Sequence, residues 1–219
     1  ENHCIETCSK LNINLITESI EIKVDGGGLE SASRKARYRV FEKILNAGDQ
    51  LLLGHHSDDV AETLFMRLLR GTGPDGMEGP KLQRSLGKGV LIRPFLEISK
   101  KQILDYLNIN NIDYIEDDSN LSNDFDRNYL RNEIFPMLER KWNNFPNRIN
   151  NFSKIIKDRN NSYSYLMHEK YNDLITNSID LKKLRELSNP VISDVLRYSI
   201  KKCNIAAPNS KIIEEIIKT

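Results

Sequence analysis

Apolar residues change their period midway through residues 51–69. Leu51, Leu52 and Leu53 run without a break, as a short buried strand does. From there the apolar positions are Val60, Ala61, Leu64, Phe65, Leu68 and Leu69, one face of an amphipathic helix. Between the two periods lies Gly54-His55-His56-Ser57-Asp58-Asp59, in which Ser57 is the expected N-cap and the aspartates fall in the first turn, where the helix dipole favours negative charge. Elsewhere residues 1–11 read as a helix. Leu15 to Val24 alternates enough to contain a strand, followed by a flexible turn, Asp25-Gly26-Gly27-Gly28. Residues 30–47 read as a helix that buries Ala36, Val40, Phe41, Ile44 and Leu45 and stops at Gly48. Val90 to Phe95 predicts a strand, Ser99 to Asn108 a helix, and Arg127 to Arg140 a further helix with caps available from Asp117, Ser119 and Asn120. Strands alternating with helices make the first part an α/β domain with a parallel sheet.

Charge adds a division that the hydrophobic pattern does not show. The chain's net charge of +1 hides 17 Lys and Arg against 23 Asp and Glu in residues 1–139, and 15 against 8 in residues 140–219. An acidic half joined to a basic one suits a second half that meets a polyanion; it equally suits a solvated helical surface. The proline after Trp142-Asn143-Asn144-Phe145 marks the expected junction, giving domains 1–140 and 141–219. Mean hydropathy is negative and no apolar run reaches the length of a membrane span, so a soluble chain is expected. Cys4, Cys8 and Cys203 are odd in number and contain no C-x-x-C pair, so neither a zinc ribbon nor a disulfide framework is indicated and a reducing, cytoplasmic setting is expected; Cys4 and Cys8 are expected to be buried small hydrophobes.

The candidate chemistry gathers at residues 55–62. Asp59 and Glu62 are three apart and Asp58 and Glu62 four apart, so two carboxylates share a helix face just beyond His55 and His56. Strand, glycine turn and helix together place such groups at the carboxyl end of a strand, where open α/β sheets bind ligands. Each residue alone has an ordinary reading as cap, solvated glutamate or loop histidine, but a loop has no structural need for all of them. The set suits a hard divalent cation with nucleotide phosphates better than zinc, because the histidines are adjacent rather than four apart. Arg70-Gly71-Thr72-Gly73-Pro74-Asp75-Gly76 brings backbone and a cation close to a ligand, or simply ends the helix. Arg127 and Arg131, one turn apart, suit phosphate or carboxylate recognition, or a surface ion pair with Glu133 or Asp124. The triple glycine lacks a following Lys-Ser/Thr or the spaced dinucleotide fingerprint.

These residues carry a family likeness. Gly28-Leu29-Glu30 with Arg34, Arg37 and Tyr38, the Gly54–Thr63 decapeptide, Leu69-Arg70-Gly71-Thr72-Gly73 with Asp75-Gly76, Arg93-Pro94, Glu116-Asp117 with Ser119-Asn120, and Arg127-Asn128 with Arg131 and Pro136 stand in one order. In that order they resemble the bacterial tRNA(Ile)-lysidine synthetase family of PP-loop ATP-pyrophosphatases. Ser33 and Asp118 depart from the family's usual alanine and proline. The family's Ser-Gly-Gly-x-Asp-Ser phosphate loop would precede residue 1 and its tail domain would follow Thr219. The expectation is thus an internal fragment that alone binds ATP poorly.

The resemblance implies a partial adenine-nucleotide α-hydrolase-like catalytic domain followed by an all-α domain. It implies adenylation of C2 of the wobble cytidine in the CAU anticodon of tRNA(Ile), then attack by the ε-amine of free L-lysine. ATP is the co-substrate and Mg²⁺ the metal, held by Asp59. His55, Asp59 and Glu62 are the implied catalytic residues, and Asp58 and Glu62 the lysine-binding ones. Arg34, Arg37, Arg70, Gly71, Thr72, Gly73, Arg93, Asn120, Arg127, Asn128 and Arg131 are the implied ATP, phosphate or tRNA contacts. In the basic half Lys182, Lys183, Arg185, Arg197, Lys201 and Lys202 are candidates for phosphate contacts. The rival readings are a tRNA thiolation enzyme of the same superfamily, a noncatalytic tRNA-binding remnant and a small-molecule amidotransferase-type ligase. The missing C-x-x-C disfavours the first, the intact carboxylates the second and the basic half the third.

Overall fold

The computed structural model describes residues 1–23, 28–175, 178–203, 205, 208 and 210–218. They fall into two compact units: residues 1–72 with 79–153, and residues 73–78 with 154–219. The last residue of the expected Leu15–Val24 strand, Val24, and Asp25 to Gly27 of the turn after it lie outside the described residues.

The first unit begins with α1 (Asn2–Lys10), which buries no residue; Cys4 is exposed and Cys8 half-buried, contrary to the expected burial. Residues 15–23 form no strand. Alternation alone does not make a strand without a ladder partner, and the sheet here is built from residues 50–92. Helix α2 (Gly28–Ile44) stops before Gly48 because Asp49 accepts the Asn46 N–H at 2.7 Å and closes a turn there. Of its expected core positions only Leu45, just past the helix, is fully buried; Ile44 is exposed, and Ala32 is the buried residue within α2.

Strands β1 (Gln50–Leu52), β2 (Gln83–Leu86) and β3 (Gly89–Ile92) form one sheet in the order β1-β3-β2. β1 pairs parallel to β3, with Leu51 opposite Leu91, whereas β2 pairs antiparallel to β3, with Ser85 opposite Val90. The sheet is therefore mixed, not parallel as the alternation of elements suggested. β1 is an edge strand, and side chains alternate across a strand, so three successive leucines cannot all face inward: Leu51 is half-buried and Leu52 is 62% exposed. Leu45, Leu86 and Leu91 form the core beneath, with Tyr38 and Phe41 packed against them.

Helix α3 (Ser57–Leu69) follows β1. Its N-cap is His56 rather than Ser57. Ser57 is buried, donates its N–H to the Ile98 carbonyl at 2.9 Å and has its own carbonyl taken by Asn150 at 2.9 Å. Val60, Ala61 and Leu64 are buried, but Leu68 and Leu69 at the end of the expected apolar face are exposed. Gly71 has φ +71°, its N–H reaches the Leu68 carbonyl and the Thr72 N–H reaches that of Arg67, a paired C-terminal closure that needs a left-handed residue at that point.

Helix α4 (Lys100–Ile109) is capped by Ser99, whose hydroxyl accepts the Gln102 N–H while Gln102 accepts the Ser99 N–H. The helix expected over 127–140 is interrupted. α5 (Asp126–Tyr129) runs into a π turn (Leu130–Ile134) and then α6 (Phe135–Lys141). The N-cap is Phe125, without a side-chain bond, because Asp117 instead closes its own turn onto the Ser119 N–H at 2.9 Å. Phe65, Phe135 and Phe145 meet edge to face with centroids 5.4–5.9 Å apart, fixing α3 against α6 and the start of α7 (Phe145–Tyr171).

The second unit holds a 3₁₀ turn (Pro74–Glu78), the later part of α7, α8 (Leu181–Arg185), α9 (Asn189–Lys202) and α10 (Ser210–Lys218). Its core includes Ile175, Val195 and Ile213. Lys201 pairs with Asp75 at 3.2 Å and Glu78 at 3.1 Å, and Asn160 donates to Glu78 at 2.8 Å, so the 3₁₀ turn is fastened to this unit. Among the described residues no helix is long and apolar enough to cross a membrane.

Leu91 is fully buried at the centre of the small sheet. Leu91→Ala is expected to cost about 2–5 kcal/mol, read as a lowered urea midpoint with an unchanged slope; a loss below about 1 kcal/mol would show that the sheet is not the first unit's stabilising core.

Candidate functional site

The loop after β1 and the first turn of α3 place their polar groups by local bonds. Asp59, at the third helical position, accepts the His56 N–H through Oδ2 at 2.9 Å, satisfying one of the donors that a helix start leaves open. His56 Nδ1 and Nε2 lie 3.5 Å from Asp58 Oδ2 and Asp59 Oδ2 respectively. Asp58 reaches across to the other helix start and accepts the Lys100 N–H at 2.8 Å. Burial alone raises its pKa, but the nearby His56 ring and the hydrogen bond from the Lys100 N–H outweigh it and hold the carboxyl at about 2.

One turn further, Glu62 is 1% exposed. Arg127 Nε donates to its Oε2 at 2.6 Å, while Arg131 donates from Nε to Oε1 at 2.7 Å and from Nη2 to Oε2 at 2.9 Å. Arg127 Nη2 also reaches Asp59 Oδ1 at 2.8 Å, with Arg131 Nη2 3.4 Å from the same atom. Two guanidiniums from α5 and the π turn thus close over two carboxylates from α3. A buried carboxylate is tolerable only with such pairing, because its desolvation costs several kcal/mol. The partners are the site's own acids, not the Glu133 or Asp124 that spacing allowed.

Beside this clamp lies a cavity of about 330 Å³ lined by His55, Asp59 and Arg127 together with Arg34, Arg67, Lys81, Arg84 and Arg93. His55 is half-buried, and its Nδ1 is buried without a hydrogen-bond partner. Burial lowers its pKa, and the nearby arginines Arg93, Arg34 and Arg127 add to that against the opposing pull of Asp59, which favours the neutral imidazole. Arg93 is 6% exposed and is fixed by donating to the Lys81 carbonyl at 2.7 Å.

Known proteins carry the same sequence pattern. The PP-loop domain family matches residues 1–138. The chain belongs to the PP-loop family. A protein of Buchnera aphidicola subsp. Schizaphis graminum, named tRNA(Ile)-lysidine synthase, is 35% identical over 216 residues, 98% of this chain and 48% of that protein. One of the same name from Legionella pneumophila (strain Lens) is 34% identical over 219 residues, 99% of this chain and 51% of its own. A third, from Coxiella burnetii, is 41% identical over 143 residues, 65% of this chain and 32% of its own. The chain spans about half the length of the first and second of these relatives and about a third of the third's.

In this PP-loop chain the structure brings together His55, Asp59, Glu62, Arg34, Arg93, Arg127 and Arg131, with Asp58 alongside on the Lys100 turn. It does not bring in Arg37, which is exposed on α2, or Arg70. Arg70 lines a separate apolar cavity of about 370 Å³, with Phe65, Met66, Tyr129 and Ile134, and its guanidinium is 3.8 Å from Asp126. Gly71 and Thr72 terminate α3, and Gly73 belongs to the second unit. Asn128 is buried and donates to the Ser119 and Ser122 carbonyls, each at 2.8 Å, while the Asn120 carbonyl accepts from Asn132 at 2.9 Å. Both asparagines hold the 119–123 loop against α5 and the π turn. Sequence reasoning missed Arg67, Lys81 and Arg84; β2, which carries Arg84, gave no periodic signal.

Asp59 as it stands does not fit a divalent cation. One oxygen accepts a backbone N–H and the other faces two guanidiniums. Among the described residues no group of three acidic, histidine or cysteine side chains is placed to hold a metal ion.

Asp58 has a depressed pKa, so its stabilising contribution is present above the unfolded value near 4 and is lost as pH falls through about 2. Asp58→Asn is expected to lower the melting temperature at about pH 6 and to match the parent near pH 2. An equal deficit at both pH values would remove the carboxylate's charge from the account.

Proposed function

We propose that the protein acts as a tRNA(Ile)-lysidine synthase. The observation that carries this reading is that proteins of that name align with 98% and 99% of the chain, through both units rather than the PP-loop part alone. In the first step O2 of the wobble cytidine of a CAU anticodon bonds to the α-phosphorus of ATP and pyrophosphate leaves. In the second the ε-amine of free L-lysine bonds to C2, the C2–O bond breaks, AMP carries the oxygen away and the amine loses a proton. No step is routed through a metal ion here, because the geometry at Asp59 does not support one.

The chain's residues are assigned roles accordingly. His55, which lines the cavity and whose lowered pKa favours the neutral imidazole, is suited to contact the nucleotide or the adenylated cytidine. Glu62 and Asp59 hold Arg127 and Arg131 in place, so Glu62 is read as a positioning residue instead of the direct lysine ligand that its spacing suggested. Asp58 keeps about a third of its side chain exposed and is the better partner for a lysine ammonium. Arg34, Arg93 and Arg127 are anion contacts. In the basic half Lys182, Lys183 and Arg185, exposed on α8, suit RNA phosphates. Lys201 does so less well: burial would lower its pKa, but its bonds to Glu78 and Asp75 raise it and occupy its charge. A tRNA substrate places the reaction in the cytoplasm.

The test is incorporation of labelled lysine into tRNA(Ile) with a CAU anticodon by the full-length gene product, with ATP and Mg²⁺ present. Lysine- and ATP-dependent labelling that disappears when the anticodon is CAC or GAU is the expected result. Retained tRNA binding with no labelling would favour the noncatalytic reading, and transfer of sulfur in place of lysine the thiolation one.

A further inference from the structure

The cationic cavity contains more positive charge than the clamp uses. Arg34, Arg67, Lys81, Arg84, Arg93 and Arg127 line a space of about 330 Å³ in which, among the described residues, Asp59 supplies the only carboxylate. Arg127 is already committed to Asp59 and Glu62, and Arg93 is anchored to the Lys81 carbonyl. Arg34 and Arg84 are held differently, by an aromatic ring, with Arg84 also donating from Nη1 to the Ser85 carbonyl at 3.0 Å. Their guanidinium carbons lie over Tyr38 at 4.9 and 5.2 Å from its centroid, and Arg34 Nη2 donates to the phenolic oxygen at 3.3 Å. Burial raises the phenol's pKa, but Arg34, Arg84 and Arg93 together outweigh it and the net shift is downward.

Cations of one sign packed around a small cavity repel one another unless an anion enters. A ring that grips two guanidiniums without neutralising them orders the donors and leaves their charge available. Planar forks arranged in this way match phosphate oxygens, and several of them match phosphates that lie close together.

We infer that this cavity binds a pair of closely spaced phosphate groups, with Tyr38 as the positioning residue that aims Arg34 and Arg84. The groups belong either to pyrophosphate, the first product of the proposed reaction, or to consecutive phosphates of an RNA strand. This deepens the proposed function and rests on it only for these two sources. Lys81, Arg84 and Arg67 are drawn in by the geometry, from outside the cations that the sequence pattern singled out.

The test measures binding, not lysine transfer, so its failure and that of the proposed activity are distinguishable. Pyrophosphate is titrated into the protein with calorimetric and thermal-shift readout, and tRNA binding is followed against salt. Arg84→Ala is expected to weaken at least one of them about tenfold, with the melting temperature in the absence of anion unchanged. Loss of pyrophosphate binding alone assigns the cavity to the polyphosphate. Loss of tRNA affinity with a salt slope shallower by about one assigns it to RNA. Tyr38→Leu is expected to reproduce the Arg84→Ala loss and Tyr38→Phe to restore most of it, since the ring face remains. If neither pyrophosphate nor tRNA binding changes in Arg84→Ala or in the Lys81→Ala, Arg84→Ala double variant, the inference is overturned. Equal losses in Tyr38→Leu and Tyr38→Phe would overturn the role given to the ring.

Discussion

Glu62 is the constraint on which the site's arrangement depends. A carboxylate with 1% exposure cannot draw on water, so both of its oxygens take guanidinium donors from Arg127 and Arg131. Those arginines come from a segment 65 and 69 residues further along the chain, and the pairing fixes α5 and the π turn against α3. The aromatic contact of Phe65 with Phe135 and Phe145 supports the same approach from the apolar side of α3. Polar and apolar faces of one thirteen-residue helix thus set where the later helices lie.

The same logic runs through the start of α3. His56 N–H, Asp59 and the Arg127 guanidinium form a chain of bonds that uses both oxygens of Asp59, while Asp58 ties the α3 start to the backbone at Lys100. His55 and the arginines stacked on Tyr38 line the cavity beside them. Within a PP-loop chain this distinguishes side chains bonded to one another across elements from those that line the cavity. Glu62 belongs to the first group although its spacing alone suggested the second.

Much of this was legible in the sequence, and the limits have physical causes. Strand, glycine turn and acidic helix start were readable at residues 51–62 because capping and periodicity are local. The π turn at 130–134 was not, because no residue type marks it and the tertiary pairing of Arg127 and Arg131 competes with helical regularity. The parallel sheet was read from alternation, yet strand direction depends on the hairpin that brings β2 onto β3, and Gln83–Leu86 lacks a hydrophobic period. Spacing put Arg127 and Arg131 on one face but could not name partners so distant in sequence. The three cations at 67, 81 and 84 look like surface charge in a linear reading and share a cavity only once the sheet forms.

A double-mutant cycle between Glu62→Gln and Arg131→Met, measured by urea unfolding, tests the clamp most directly. Residues in one buried ion-pair network couple by about 0.5–3 kcal/mol, and the pair here is expected in the upper half of that range. Additive effects would contradict it, leaving Glu62 an independent carboxylate and returning it to the role of a direct substrate ligand.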